Sequence, residues 1–409
     1  MKQVVLVSLD WRRPQDGKTG LGIASIAASL QAAGVTWRIV DAQINSPVFS
    51  QDQVLRELLQ VIAEIGSENC LVGFGAYVWN DPEVRNLIRL IKNTGVPIFL
   101  GGPQVSYMAV GQLEDTYPEA DYFIRGQGEL AVVALAEGSL PSDCGIHVAG
   151  TPDLGYRADH DLLELPSPYL MGIAEVQDNI RWETQRGCPF KCSFCQHREP
   201  GKRLKHQWFD GQRLEKELEM FAAADVKRIS VLDPIFHTSP SRAVKVLNSI
   251  KAAGVTAQLA LQCRFETCNE EFLDALDGLN VTLEFGLQTV VKDEYLAIQR
   301  PNHMDIVCNR IRQLHERQID FEVSLIYGLP NQTLESFRAS VDWCLQRDVT
   351  RVRAWPLMLL RGTPLYEQKQ KYGFVESDDQ RIPIVVASNT FSELEHTEMA
   401  RIAQKLEES

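Results

Sequence analysis

Short apolar runs alternate with helix-like stretches along almost the whole chain, in two series, and that alternation excludes most architectures. In the first series the apolar runs are 4–8, 36–41, 70–75, 97–100 and 121–125. Between them, helical periodicity covers 22–33, 54–65 and 83–93; Gly34 closes the first of these and Gly95 the third. Strand and helix at this interval predict a parallel sheet with helices on both faces. Such sheets take ligands beyond the C-terminal ends of their strands. Leu165-Pro166-Ser167-Pro168 then breaks the pattern, as X-Pro pairs in an extended connection do. A second series follows, with strands expected at 180–185, 228–232, 256–263, 281–287, 321–327 and 352–359. Helices are expected at 211–223, 241–253, 270–276, 304–317 and 334–346. Six β/α units fall short of a closed eight-unit barrel, so an open, partial (β/α)6 barrel is expected. The predicted organisation is α/β throughout: a first domain over 1–145, a linker over 146–179, the partial barrel over 180–368, and a C-terminal extension over 369–409 with a final helix near 393–406.

Charge and cysteine usage narrow the class. The formal net charge of −13 makes nonspecific binding to nucleic acid a poor expectation. The local basic run Lys202-Arg203-Leu204-Lys205-His206 is expected to meet a carboxylate or stay solvated. Nine cysteines are an odd number. Six are scattered (Cys70, Cys144, Cys263, Cys268, Cys308 and Cys344), which is no disulfide framework. No apolar run is long enough to span a membrane and no secretory leader is legible, so the chain reads as soluble and cytoplasmic.

The other three cysteines fall in one window, Arg186-Gly187-Cys188-Pro189-Phe190-Lys191-Cys192-Ser193-Phe194-Cys195. The spacing is C-x3-C-x2-C. A cubane iron–sulfur cluster normally takes four thiolates; three leave one iron open to a substrate or cofactor. The competing reading is a zinc site completed by His197, but zinc prefers paired C-x2-C ligands or histidines in a closed set. Position favours the cluster: the loop follows the first strand of the second series, at the end where barrels carry their chemistry.

This motif after the first strand of a partial barrel resembles the radical S-adenosylmethionine (SAM) superfamily. The resemblance implies a 4Fe–4S cluster on Cys188, Cys192 and Cys195, with SAM chelating the open iron. Phe194 matches an aromatic that packs on the adenine, although ordinary packing would also place it there. Val231-Leu232-Asp233-Pro234-Ile235-Phe236 stands where the family has Gly-Gly-Glu, so Asp233 is the expected acceptor for the methionyl ammonium. Arg264, in Gln262-Cys263-Arg264-Phe265, pairs either with the methionyl carboxylate or with a structural acid. Leu283-Glu284-Phe285-Gly286-Leu287-Gln288-Thr289 resembles E-x-G-x-Q-S/T, implying Glu284 on the cofactor amine and Gln288 on its ribose. Ser324 to Thr333 resembles I-x-G-L-P-G-Q-T with Asn331 in place of a glycine, and brings Ile326 and Gly328 to the adenine. Gly362-Thr363-Pro364-Leu365 matches the closing G-T-x-L.

The first domain resembles the Rossmann-like, cobalamin-binding-type domains fused to one branch of that superfamily. The resemblance rests on Gly20-Leu21-Gly22-Ile23, Asp41, Gly101-Gly102-Pro103-Gln104-Val105-Ser106 and Arg125-Gly126-Gln127-Gly128-Glu129. It implies cobalamin contacts from Gly20, Leu21, Asp41, Gly101, Gly102 and Gly126, with Tyr77 and Trp79 toward the lower face of cobalt. Glycines at such turns would let backbone approach a bulky ligand. No histidine precedes His147, so a histidine ligand to cobalt from this domain is excluded and base-off binding is implied. The expected activity is cobalamin-dependent methylation of an unactivated carbon or phosphorus centre in a small molecule or peptide. Flavodoxin or ferredoxin is the expected type of electron donor, and no catalytic residue is assigned beyond the cluster. The alternatives are a radical SAM enzyme that rearranges, cyclises or transfers an aminocarboxypropyl group, with a degenerate cobalamin domain, and a non-catalytic metal-binding scaffold.

Overall fold

The computed structural model describes residues 1–14, 16–141, 145–197, 207–378 and 381–408. The basic run 202–206 and Cys144 lie outside the described residues. The chain divides into two compact units, Met1–Gln177 with Phe209–Glu217, and Asp178–Trp208 with Leu218–Ser409.

In the first unit, β1 (Gln3–Asp10), β2 (Trp37–Gln43), β3 (Cys70–Gly75), β4 (Ile98–Gly101), β5 (Tyr122–Ile124) and β6 (Ile146–Val148) form one sheet in the order β2-β1-β3-β4-β5-β6. Helices α1 (Leu21–Ala32), α2 (Gln51–Ile65), α3 (Asp81–Ile91), α4 (Pro103–Ser106), α5 (Leu113–Thr116) and α6 (Glu129–Glu137) complete it. The period of two along β1 feeds two cores. Val4 and Leu6 pack with Leu30 of α1 and Leu135 of α6, whereas Val5 and Val7 pack with Leu58 of α2 and Leu87 of α3. Each such fully buried side chain contributes roughly 1.5–3 kcal/mol. The first five strands are parallel, as the sequence predicts, but β6 runs antiparallel to β5. It lies in the stretch read as a linker, and the first unit continues to Gln177. Three residues carry no readable period, and β6 is held instead by His147, which bonds Glu114 (2.9 Å) and stacks on Phe123.

The second unit has six parallel strands, β7 (Asn179–Trp182), β10 (Arg228–Val231), β11 (Gln258–Cys263), β12 (Val281–Gln288), β13 (Asp320–Tyr327) and β14 (Val352–Pro356). Their order is β14-β13-β12-β11-β10-β7, with the end strands unpaired to each other, so the barrel is open. The first strand ends earlier than the sequence suggests. The chain turns after Trp182, and β8 (Gln185–Arg186) forms an antiparallel ribbon with β9 (Gln207–Trp208). The crossovers are α7 (Gly211–Ala223), α8 (Pro240–Ala252), α9 (Glu270–Ala275), α10 (Lys292–Ala297), α11 (Met304–Glu316) and α12 (Leu334–Leu345), followed by α13 (Pro364–Glu367). A hairpin of β15 (Val375–Glu376) and β16 (Val385–Ala387) leads to α14 (Glu393–Glu408), which packs on β14 and α12.

Alternation along the central strands sorts side chains by face. On β12, Leu283, Phe285 and Leu287 are buried, while Glu284, Gly286 and Gln288 lie on the more open face. On β13, Val323 and Leu325 are buried, while Glu322, Ser324 and Ile326 share the open face. Polar side chains inside an apolar strand thus point into the barrel, where they bond one another: Gln262 donates to Glu284, and Arg353 pairs with Glu322 (3.2 Å).

Candidate functional site

The three clustered cysteines sit on the loop after β8. That loop is fixed from several directions. Ser193 donates its backbone N–H to the Ile298 carbonyl (2.8 Å), and its own carbonyl accepts from Leu365 N (3.0 Å). Gln196 Nε2 donates to the Arg361 carbonyl (3.0 Å). The G-T-x-L segment therefore clamps the loop.

Cys188 and Cys192 are buried and Cys195 partly so. Burial, together with the neighbouring thiols, raises the Cys188 pKa and pushes Cys195 up to about 11. The three sulfurs thus lie within electrostatic reach of one another, yet among the described residues no three His, Cys, Asp or Glu converge tightly enough to hold a single ion. A cubane held there would ionise the thiols.

Two arginines flank this loop. Arg264 is buried. It pairs with Glu266 (2.9 Å), donates to the Pro301 carbonyl (2.9 Å) and lies 4.1 Å over the Phe190 ring. These contacts support the loop. Arg300, which the sequence reading missed, donates one nitrogen to Cys192 Sγ (3.6 Å) and another to the Gly286 carbonyl of β12. Its only sequence signal is a charged residue just past a short helix, before Pro301-Asn302.

Asp233 is placed differently from its expected role. It is fully buried; its carboxylate accepts from Thr184 N (2.8 Å), Thr184 Oγ1 (2.5 Å) and Gln185 N (3.2 Å). With both oxygens engaged, it fastens the turn leading to the cysteine loop rather than facing a ligand. Burial raises its carboxyl to about 7, against the opposing pull of the Thr184 hydrogen bonds.

The remaining barrel residues converge at the strand ends. Glu284 and Gln288 share the inner face of β12. A register shift between Gly286 and Gln288 puts Gln288 at φ +71°, and its side chain folds back across Gly286, where a Cβ would lie 2.5 Å from Gln288 Nε2. Ile326 lies on the inner face of β13, but its carbonyl and the Gly328 N–H are both taken by the buried Gln332 (3.1 and 2.7 Å). The Ile326 side chain stays on the inner face of that strand end. Phe194 is half-buried beside Cys195.

In the first unit the expected residues gather at the C-terminal strand ends. Tyr77 and Trp79 stack with centroids 4.5 Å apart. Asn80, missed from sequence, accepts from Tyr77 N (2.7 Å) and donates to the Leu9 and Gly75 carbonyls (3.0 Å each), tying this turn to β1 and β3. Asp41 is exposed and shares Arg12 with Asp10. Gly20 and Leu21 open α1, and Gly101 ends β4 with ordinary clearance. Gly102 and Gly126 have a different reason from the expected one. At φ +88° and +87°, a Cβ would meet the Ala76 carbonyl at 2.7 Å and the Ala158 carbonyl at 2.3 Å. The close approach they permit is to the chain itself.

Two family profiles match the sequence: one described as B12 binding domain over residues 18–136, and one as the radical SAM superfamily over residues 182–344. The cobalamin-dependent radical SAM methyltransferase TokK of Streptomyces tokunonensis is 26% identical over 364 residues, covering 80% of this chain and 52% of TokK. The 2-(S-pantetheinyl)-carbapenam-3-carboxylate methyltransferase of Streptantibioticus cattleyicolor is 27% identical, covering 81% of this chain and 52% of that protein. The chain thus spans about half the length of these curated relatives. Among solved structures, the radical SAM methyltransferase TsrM of Kitasatospora setae, with cobalamin and a 4Fe–4S cluster bound, matches with a TM-score of 0.71 at 19% identity, covering 93% of this chain and 76% of TsrM. At that identity the match speaks for the fold.

Proposed function

We propose that the chain is a cobalamin-dependent radical SAM methyltransferase, a reading supported by its matches to the B12 binding domain and to the radical SAM superfamily. The substrate would be a small molecule or a peptide, methylated at an unactivated carbon or phosphorus centre. One observation carries the reading. A loop of three closely spaced cysteines follows the first strand of an open six-strand barrel, in a chain that also contains a doubly wound sheet matching the B12 binding domain.

The residues divide the work. Cys188, Cys192 and Cys195 would hold a 4Fe–4S cluster, and Glu284, Gln288, Ile326 and Phe194 would line the SAM site. Gly20, Leu21, Asp41, Tyr77, Trp79 and Gly101 would line the cobalamin site, with Gly102 and Gly126 shaping its loops. When bound, these cofactors would supply radical chemistry and a transferable methyl group. The protein's own part is positional. The Ser193, Gln196 and Leu365 bonds hold the loop, Asp233 holds the turn before it, and the Gln262–Glu284 pair keeps a carboxylate inside the barrel. Reduction calls for a one-electron donor of the flavodoxin or ferredoxin type.

The test is anaerobic reconstitution with iron and sulfide, with and without cobalamin, followed by mass spectrometry of the SAM products. Joint appearance of 5′-deoxyadenosine and S-adenosylhomocysteine, only when cobalamin is present, is the expected result. Methylthioadenosine, or turnover indifferent to cobalamin, would replace methyl transfer with another reaction.

A further inference from the structure

Arg300 occupies a position that cluster ligation alone does not require. It is 6% exposed, at the end of the segment after α10, and it is oriented by two contacts. One guanidinium nitrogen donates to Cys192 Sγ at 3.6 Å, and another donates to the Gly286 carbonyl at the β12 register shift. Gly286 is also the residue over which Gln288 folds. A single side chain therefore joins a cluster thiol to the strand proposed to hold SAM. The adjacent Pro301 carbonyl is gripped by Arg264, which fixes the backbone from which Arg300 projects.

We infer that Arg300 is a positioning residue that sets the reduction potential of the cluster, through an N–H···S bond to Cys192 and a buried positive charge beside it. This rests on the cluster assignment above. The physics is direct. Adding an electron makes the cluster more negative, and a nearby donor and cation stabilise that state more than the oxidised one. A cluster so placed is easier to reduce. The Gly286 bond adds geometry: the backbone carbonyl holds the fork against the thiol, so a shift of the β12 end on ligand binding would be felt at the sulfur.

The test uses the full chain, anaerobically reconstituted, as the parent, Arg300→Gln and Arg300→Lys. Iron and sulfide contents verify loading, and an EPR-monitored redox titration gives the midpoint. The expected result is a lower midpoint potential in Arg300→Gln at unchanged iron and sulfide. Arg300→Lys should shift less, since it keeps the charge but not the planar fork. The Fe–S stretching bands of Arg300→Gln in resonance Raman should move with the lost N–H···S bond. A fully loaded Arg300→Gln with the parent's midpoint would overturn the inference. So would loss of the cluster from both variants, which would reduce Arg300 to a role in assembly. A parent that takes up no cubane would instead sink the proposed function.

Discussion

The strand-end regions of the two units are held by different means. In the barrel, buried side chains hold the loops: Asp233 grips Thr184 and Gln185, Gln332 bonds Ile326 and Gly328, and Arg264 and Arg300 bracket the cysteine loop. In the first unit, two glycines let the chain pack on itself, one buried asparagine ties the Tyr77 turn, and the acidic residue facing outward is exposed and paired with Arg12. A cluster site needs sulfurs at fixed separations, which rigid side-chain bonding provides.

The largest expected effect comes from removing the thiols. Replacing Cys188, Cys192 and Cys195 together by alanine should abolish iron uptake and radical chemistry while leaving cobalamin binding near the parent level, as measured by iron analysis and by the cobalamin absorbance retained after gel filtration. Loss of both would mean the two regions are not separable in this way.

Next comes a pH test of the barrel's buried groups. Asp233, raised to about 7 by burial, binds its proton more tightly when folded. Its contribution is full below the unfolded value near 4 and is lost as pH rises through 7. His237, fully buried with Nε2 at the Arg264 carbonyl (3.0 Å), is depressed to about 4 by burial. Its contribution is full above about 6.5 and is lost as pH falls toward 4. The two slopes oppose each other across that window. Asp233→Asn should expose a stability loss toward acid on the order of 3 kcal/mol, and His237→Gln a loss toward neutral pH on the order of 4 kcal/mol. Urea unfolding from pH 4.5 to 7.5 checks both signs.

Smaller effects should fall on the first unit. Gly126→Ala forces a Cβ against the Ala158 carbonyl at positive φ and should cost about 2–3 kcal/mol. Cobalamin retention should drop while cluster content is unchanged. Asp41→Asn breaks an exposed pair and should change stability by less than about 1 kcal/mol. If its cobalamin affinity is also unchanged, Asp41 leaves the proposed binding set.

The architecture was legible because both sheets are built from strands buried on at least one face, whose apolar runs survive in sequence. Glu284 and Gln288 were legible as polar residues inside such a run, and the three cysteines by their spacing after the first barrel strand. What escaped was what short-range pattern cannot encode. The strand Ile146–Val148 is too short to carry a period. Asp233 looked like a ligand because the sequence shows an acid at a strand end but not the Thr184 amide and hydroxyl that occupy it. Arg300 lies more than a hundred residues from Cys192, so only the fold brings them together. Gly102 and Gly126 were read as turns that let backbone approach a bulky ligand, but what they approach is Ala76 and Ala158.

The most direct test of the central claim is metal and spectroscopic analysis of the anaerobically reconstituted chain before and after adding SAM. The account predicts about four irons and four sulfides per chain and an EPR signal of the reduced cluster that changes when SAM arrives at the iron without a cysteine. Stoichiometric zinc on Cys188, Cys192 and Cys195, or an iron signal indifferent to SAM, would contradict it.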